Sequence, residues 1–125
     1  MRRASVCLVI GMLAACLPAR AEENGLQKKG REVAHVHCAR CHVVDSGNRL
    51  GGIGSTPSFR LLMMLPDGEH RMATFFDRRP HPAFVRMEGV EPLTPLPANA
   101  AEAEMTADDL DALIAYALSL KSASD

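Results

Sequence analysis

From Thr106 to Leu120 the apolar positions recur at the helical period, with Leu110, Leu113, Ile114, Ala117 and Leu118 on one continuous face. Thr106 followed three residues on by Asp109 makes a near capping box. Asp108 and Asp109 suit the positive start of that helix and Lys121 its negative end. A second helical pattern runs from Gly25 to His42, where Leu26, Val33 and Val36 recur with Lys28, Lys29, Arg31 and Glu32 between them. Gly30 in its middle lowers helix propensity by about 1 kcal/mol relative to alanine, which predicts a close approach of another helix there. Residues 46 to 55 are dense in glycine and read as loop. Phe59 to Leu65 predicts a short apolar helix that stops at Pro66-Asp67-Gly68. Another runs from Glu69 to Asp77 and buries Met72, Phe75 and Phe76. Pro80 and Pro82 bracket His81 and exclude regular structure there. The chain then stays extended through Pro92, Pro95 and Pro97 to Ala98. The elements so read are all helical, and the expected fold class is all-α.

Charge and apolar clustering at the N-terminus change this picture by removing part of it. Arg2 and Arg3, an apolar run from Val6 to Leu17 and the small-residue triplet Ala19-Arg20-Ala21 have the layout of a cleaved export signal. The expected division is therefore a signal peptide over 1–21 and a domain over 22–125, exported to the periplasm. The apolar run is shorter than the ~20 residues that span a bilayer, so no membrane span is expected. Leu13-Ala14-Ala15-Cys16 resembles a lipoprotein box and keeps a lipid anchor at Cys16 as the alternative. Losing Arg2, Arg3 and Arg20 takes the 14 basic residues to 11, against 15 acidic ones. A mature domain of net charge near −4 makes nucleic acid an improbable partner.

Composition leaves the core short of apolar bulk. The chain has no Trp, one Tyr and four Phe in 125 residues, little aromatic bulk for a core. The chemistry is concentrated in Cys38-Ala39-Arg40-Cys41-His42, a C-x-x-C-H run that reads as an attachment site for c-type haem. Two thiols on one helical turn can each add to a porphyrin vinyl group while the next side chain brings its imidazole to the iron. Cys38 and Cys41 are thus the candidate thioether donors and His42 the proximal iron ligand. A zinc site would need two further ligands at matched spacing, and a thioredoxin-like pair a βαβ setting that the flanks do not suggest. The other two cysteines, Cys7 and Cys16, leave with the signal. Pro57 could aim a backbone carbonyl at the far nitrogen of His42, fixing its tautomer. His35 and His37 either reach the haem periphery or are simply solvated.

On these residues the chain from Gly25 to Leu120 resembles the monohaem class I cytochromes c, exported bacterial c-type cytochromes among them. The resemblance implies a small cytochrome c fold whose N- and C-terminal helices cross at a small residue against an aromatic one. Gly30 and Tyr116 look like that pair. It also implies one covalent haem c and a sixth ligand delivered just before the last helix, commonly by a Met-Pro. No Met precedes a Pro here. Met87, in that irregular segment, is the expected distal ligand, with His81 on its proline-stiffened loop as the alternative. Met63, Met64, Met72 and Met105 are expected to fill gaps as thioethers.

The function expected from this reading is electron transfer between redox partner proteins, with no catalytic side chain required and the protein not an enzyme. The rivals are a haem enzyme or gas sensor with an open distal site, and a lipid-anchored cytochrome subunit of a dehydrogenase. Arg49, Arg60, Arg71, Arg78, Arg79 and Arg86 are candidates for a docking surface, set against an acidic stretch from Glu88 to Asp111.

Overall fold

Two helices that cross at a glycine organise the molecule. In the computed structural model, which describes residues 24–122, α1 covers Gly25–Val33 and α4 covers Ala107–Ser122. The expected signal over 1–21, with Cys7 and Cys16, lies outside the described residues. Asn24 caps α1 by accepting the Gln27 amide at 2.8 Å, and the Gln27 side chain returns to the Asn24 amide. Thr106 and Asp109 do the same for α4: the Thr106 amide and hydroxyl donate to Asp109, and the Asp109 amide donates to the Thr106 hydroxyl.

At the crossing, a Cβ on Gly30 would fall on the Ala112 carbonyl and come within 2.8 Å of Tyr116 Cβ. Only glycine lets the two backbones approach this closely. The expected pairing of Gly30 with Tyr116 is therefore observed. The rest of the α1 face differs from the expected one, since Leu26 and Val36 are 48% and 75% exposed while Gly30 and Ala34 are buried. Backbone proximity, which needs small residues, decided this face rather than side-chain hydrophobicity. Lys29 adds an ion pair to Asp109 across the crossing at 2.9 Å.

The short middle helices appear close to where the apolar pattern put them. Helix α2 spans Phe59–Met63 behind the cap of Ser58, and α3 spans Gly68–Ala73. Both pack on α4, so that Phe59, Met63 and Met72 join Leu113, Tyr116 and Ala117 in the main core. The stretch expected to be one helix to Asp77 breaks at Thr74, whose hydroxyl donates to the His70 carbonyl at 2.8 Å, and resumes as a 3-10 turn over Phe75–Asp77.

An element absent from the sequence reading follows. Val85–Met87 forms β1 and Ala103–Met105 forms β2, a parallel pair in the register Val85 to Ala103 and Met87 to Met105. Val85, Met87, Ala103 and Met105 form a second, smaller core against Phe75, Phe76, Phe84 and Leu110. Among the described residues the other regular elements are helical.

Candidate haem site

The proximal wall begins where α1 ends. The helix expected to run unbroken to His42 instead widens after Val33 into a π turn over Ala34–Cys38, closed by the Ala39 amide on the Ala34 carbonyl at 2.9 Å. The extra residue in that turn rotates everything after it relative to the α1 face, a distortion often found at functional sites. The amides of Cys41 and His42 then both return to the Cys38 carbonyl, at 3.0 and 2.8 Å. The tight turn brings Cys38, Cys41 and His42 to one cavity.

The loop that follows is folded onto this turn by its own polar side chains. Asn48 accepts from the amides of Val44 and Asp45 and donates to the His42 carbonyl at 3.0 Å. Asp45 accepts from the amides of Gly47 and Asn48, from Arg31 at 3.0 Å, and pairs with His35 Nε2 at 2.8 Å. Burial works against charge on Asp45, but the contacts from His35, the Gly47 amide and Arg31 overcome it and lower its pKa to about 2. Gly52, at φ +78°, lies against the motif's backbone, where a Cβ would stand 3.0 Å from the Cys41 carbonyl oxygen. The Ile53 amide donates to that same carbonyl at 2.9 Å, the Phe59 amide donates to the Val43 carbonyl at 3.0 Å, and the buried Tyr116 hydroxyl donates to the Val44 carbonyl at 3.0 Å.

This loop delivers the Pro57 carbonyl to His42 Nδ1 at 2.7 Å, as expected from the sequence. A carbonyl only accepts, so Nδ1 carries the proton and Nε2 keeps the lone pair a metal needs. Phe59 steadies the ring edge-on, with centroids 5.6 Å apart.

The opposite wall is built by residues 71 to 85. His81 sits on a 3-10 turn over His81–Ala83 and its Nδ1 donates to the Arg78 carbonyl at 2.9 Å. Phe75 meets its ring edge-on at 5.2 Å and Phe84 lies at 6.0 Å. Burial lowers the pKa of His81, as does the neighbouring His42, while the carbonyls of Arg78 and Phe75 oppose the shift. The net shift is downward, which favours the neutral ring. The two imidazoles face each other with centroids 6.1 Å apart and planes 10° from parallel.

Between these walls lies a cavity of about 530 Å³ whose lining includes Cys38, Cys41, His42, Met72, Phe75 and His81. Its size falls in the range of cofactor pockets. Burial pushes the Cys38 thiol up to about 12, so it stays protonated. Arg71, Arg78 and Arg79 also line the cavity, cations suited to the two carboxylates of a porphyrin. Two thiols, an imidazole with a free lone pair, apolar walls and basic side chains together fit haem.

Of the residues singled out in the sequence, Cys38, Cys41, His42 and His81 meet at this cavity, and Met87 does not line it. Met87 is held on β1, its side chain buried with Val85, Ala103 and Met105. His37 lines the cavity, whereas His35 turns away to Asp45. Met72 and Met105 contribute to the wall, while Met63 is buried in the main core and Met64 is exposed. Arg86, expected on a docking surface, is 14% exposed and works inside the fold. It donates to the carbonyls of Pro82, Val85 and Thr94 and pairs with Glu102 at 2.9 Å. Sequence reasoning missed this clamp, for which the sequence carries no local signal. It also missed Asn48, although Asp45-Ser46-Gly47-Asn48 has the composition of a capped turn.

A family model described as Cytochrome c matches residues 27–121. No match is found among curated proteins or among solved structures. The matched span includes the C-x-x-C-H turn, the Gly30 crossing and both walls of the cavity. With haem c as the cofactor this implies, the chain belongs to the cytochrome c family, as a class I c-type cytochrome.

Proposed function

We propose that this cytochrome is an exported, single-haem electron carrier in which Cys38 and Cys41 form the thioethers and His42 is the proximal ligand. The observation that carries the assignment is the hydrogen bond from His42 Nδ1 to the Pro57 carbonyl at 2.7 Å, which leaves Nε2 free in a cavity shared with both thiols. Each thiol adds its S–H across one vinyl group, so the attachment itself consumes no oxidant. Haem c, when bound, takes up and releases one electron at its iron. Phe59, Met72 and Phe75 would give the ring an apolar wall, and Arg71, Arg78 and Arg79 would hold its carboxylates. Among the described residues no helix is long and apolar enough to cross a membrane. Export is supported by the leader pattern over 1–21, and redox partner proteins by the family.

Denatured, acid-acetone-extracted protein is expected to keep its haem mass, and a Cys38→Ala, Cys41→Ala double variant to lose it. Loss of all haem from the wild type on extraction would refute the attachment. N-terminal sequencing of secreted protein is expected to begin near Glu22, and a lipid-modified Cys16 at that terminus would replace the soluble carrier with an anchored one.

A further inference from the structure

We propose that His81 is the second axial ligand, so that the iron is held between two imidazoles rather than between an imidazole and a methionine sulfur. This rests on the reading that haem c occupies the cavity with His42 on its proximal side.

The two histidines are prepared alike. Each is tied through Nδ1 to a backbone carbonyl, Pro57 for His42 at 2.7 Å and Arg78 for His81 at 2.9 Å. In the neutral ring each therefore carries its lone pair on Nε2, the form that binds a metal. Their separation fits two rings that share one ion. Metal–imidazole bonds of about 2 Å on either side, plus about an ångström from each nitrogen to its ring centre, set two rings that share one ion about 6 Å apart. The observed centroid distance is 6.1 Å. The ring planes lie 10° from parallel, as two imidazoles on opposite sides of one ion can be.

His81 is also held as a ligand needs to be. Pro80 and Pro82 flank it, Phe75 and Phe84 confine its ring, and the Pro82 carbonyl accepts from both Arg86 at 2.9 Å and the Thr94 hydroxyl at 2.8 Å. Hydrogen bonds that fix the backbone beside a ligand hold its ring in one orientation. Met87 is committed elsewhere. Its backbone is paired in β1 and its side chain packs in the second core with Val85 and Met105, which line the cavity while Met87 does not. Met72 and Met105 do line the cavity, and both are buried members of the two cores.

The consequence is a carrier of lower reduction potential than one with a thioether ligand, low-spin in both oxidation states and closed to small exogenous ligands. The test uses the full chain matured with its own leader in a bacterial periplasm that attaches haem. Ferric absorption and paramagnetic resonance of the wild type are expected to show low-spin bis-imidazole iron without a near-infrared sulfur-to-iron band. His81→Ala is expected to keep its haem on a denaturing gel but turn high-spin and bind CO rapidly when ferrous, with added imidazole restoring the low-spin spectrum. His81→Met is expected to raise the potential, and Met87→Leu to leave spectra and potential unchanged.

A sulfur-to-iron band in the wild type, or a His81→Ala variant that stays low-spin without added imidazole, overturns the assignment while leaving haem attachment intact. Wild-type protein without covalent haem would instead remove the reading beneath it. Should His81→Ala fail to fold, the wild-type spectra and Met87→Leu still decide.

Discussion

The two walls of the cavity are built by opposite strategies. The proximal wall is local: Cys38, Cys41 and His42 share one turn, and Asp45, Asn48 and Gly52 fold the next ten residues back onto it. The distal wall is assembled at long range, from a proline-flanked histidine, a clamp at Arg86 that reaches Thr94 and Glu102, and a parallel strand pair that joins residues 85–87 to 103–105. A covalent attachment requires its donors at fixed spacing in sequence. A side chain on the other face of the ring needs only the right place in space, and many chains can deliver it.

The largest effect is expected where both walls share a frame. Gly30→Leu would force α1 off the Ala112 carbonyl, a backbone group that cannot move aside, and cost at the upper end of the about 1 to 3 kcal/mol typical of overpacking. Thermal melting of the holoprotein should show it, with the ligand-sensitive spectra unchanged below the transition. An unaltered melting temperature would mean that the helices do not cross there.

Arg86→Ala strikes the distal wall alone. Removing donors from the carbonyls of Pro82, Val85 and Thr94 and leaving Glu102 unpaired should cost about 2 kcal/mol. Because Pro82 adjoins His81, the variant should also bind CO faster in the ferrous state than wild type, with haem still attached. Loss of stability without any change in CO binding would separate the clamp from the distal face.

Asp45→Asn strikes the proximal wall alone and should be the mildest, about 1 to 2 kcal/mol at neutral pH. The folded carboxyl sits at about 2, below its ordinary 3.8, so its contribution is present above pH about 4 and is lost as pH falls through about 2. The groups facing it are Arg31 and His35, from α1 and the π turn. Chemical denaturation of both proteins should therefore converge over that window, and a gap that stays constant to pH 2 would refute the carboxylate's role.

Much of the proximal side could be read directly. The C-x-x-C-H spacing named its three residues, Gly30 announced a close crossing, and the caps at Asn24 and Thr106 lie at or beside the starts of the helical patterns. The apolar face of α1 was misread because Leu26 and Val36 fit the helical period better than Gly30 and Ala34, whose burial reflects backbone contact. The break of α1 into a π turn left no mark in the pattern.

By itself the sequence determined what is local along the chain: two thiols on one turn, an imidazole beside them, and two amphipathic helices that need each other's faces. Tertiary structure alone decided which side chains stand across from His42. Met87 and His81 lie six residues apart in the same irregular segment, and either residue type can ligate iron. Parallel pairing with residues 103–105 turned Met87 into the second core, while the turn closed on Arg78 turned His81 toward the cavity. Strand pairing between residues some eighteen positions apart depends on where both segments are held in space, and no local pattern of hydrophobic and polar residues encodes it.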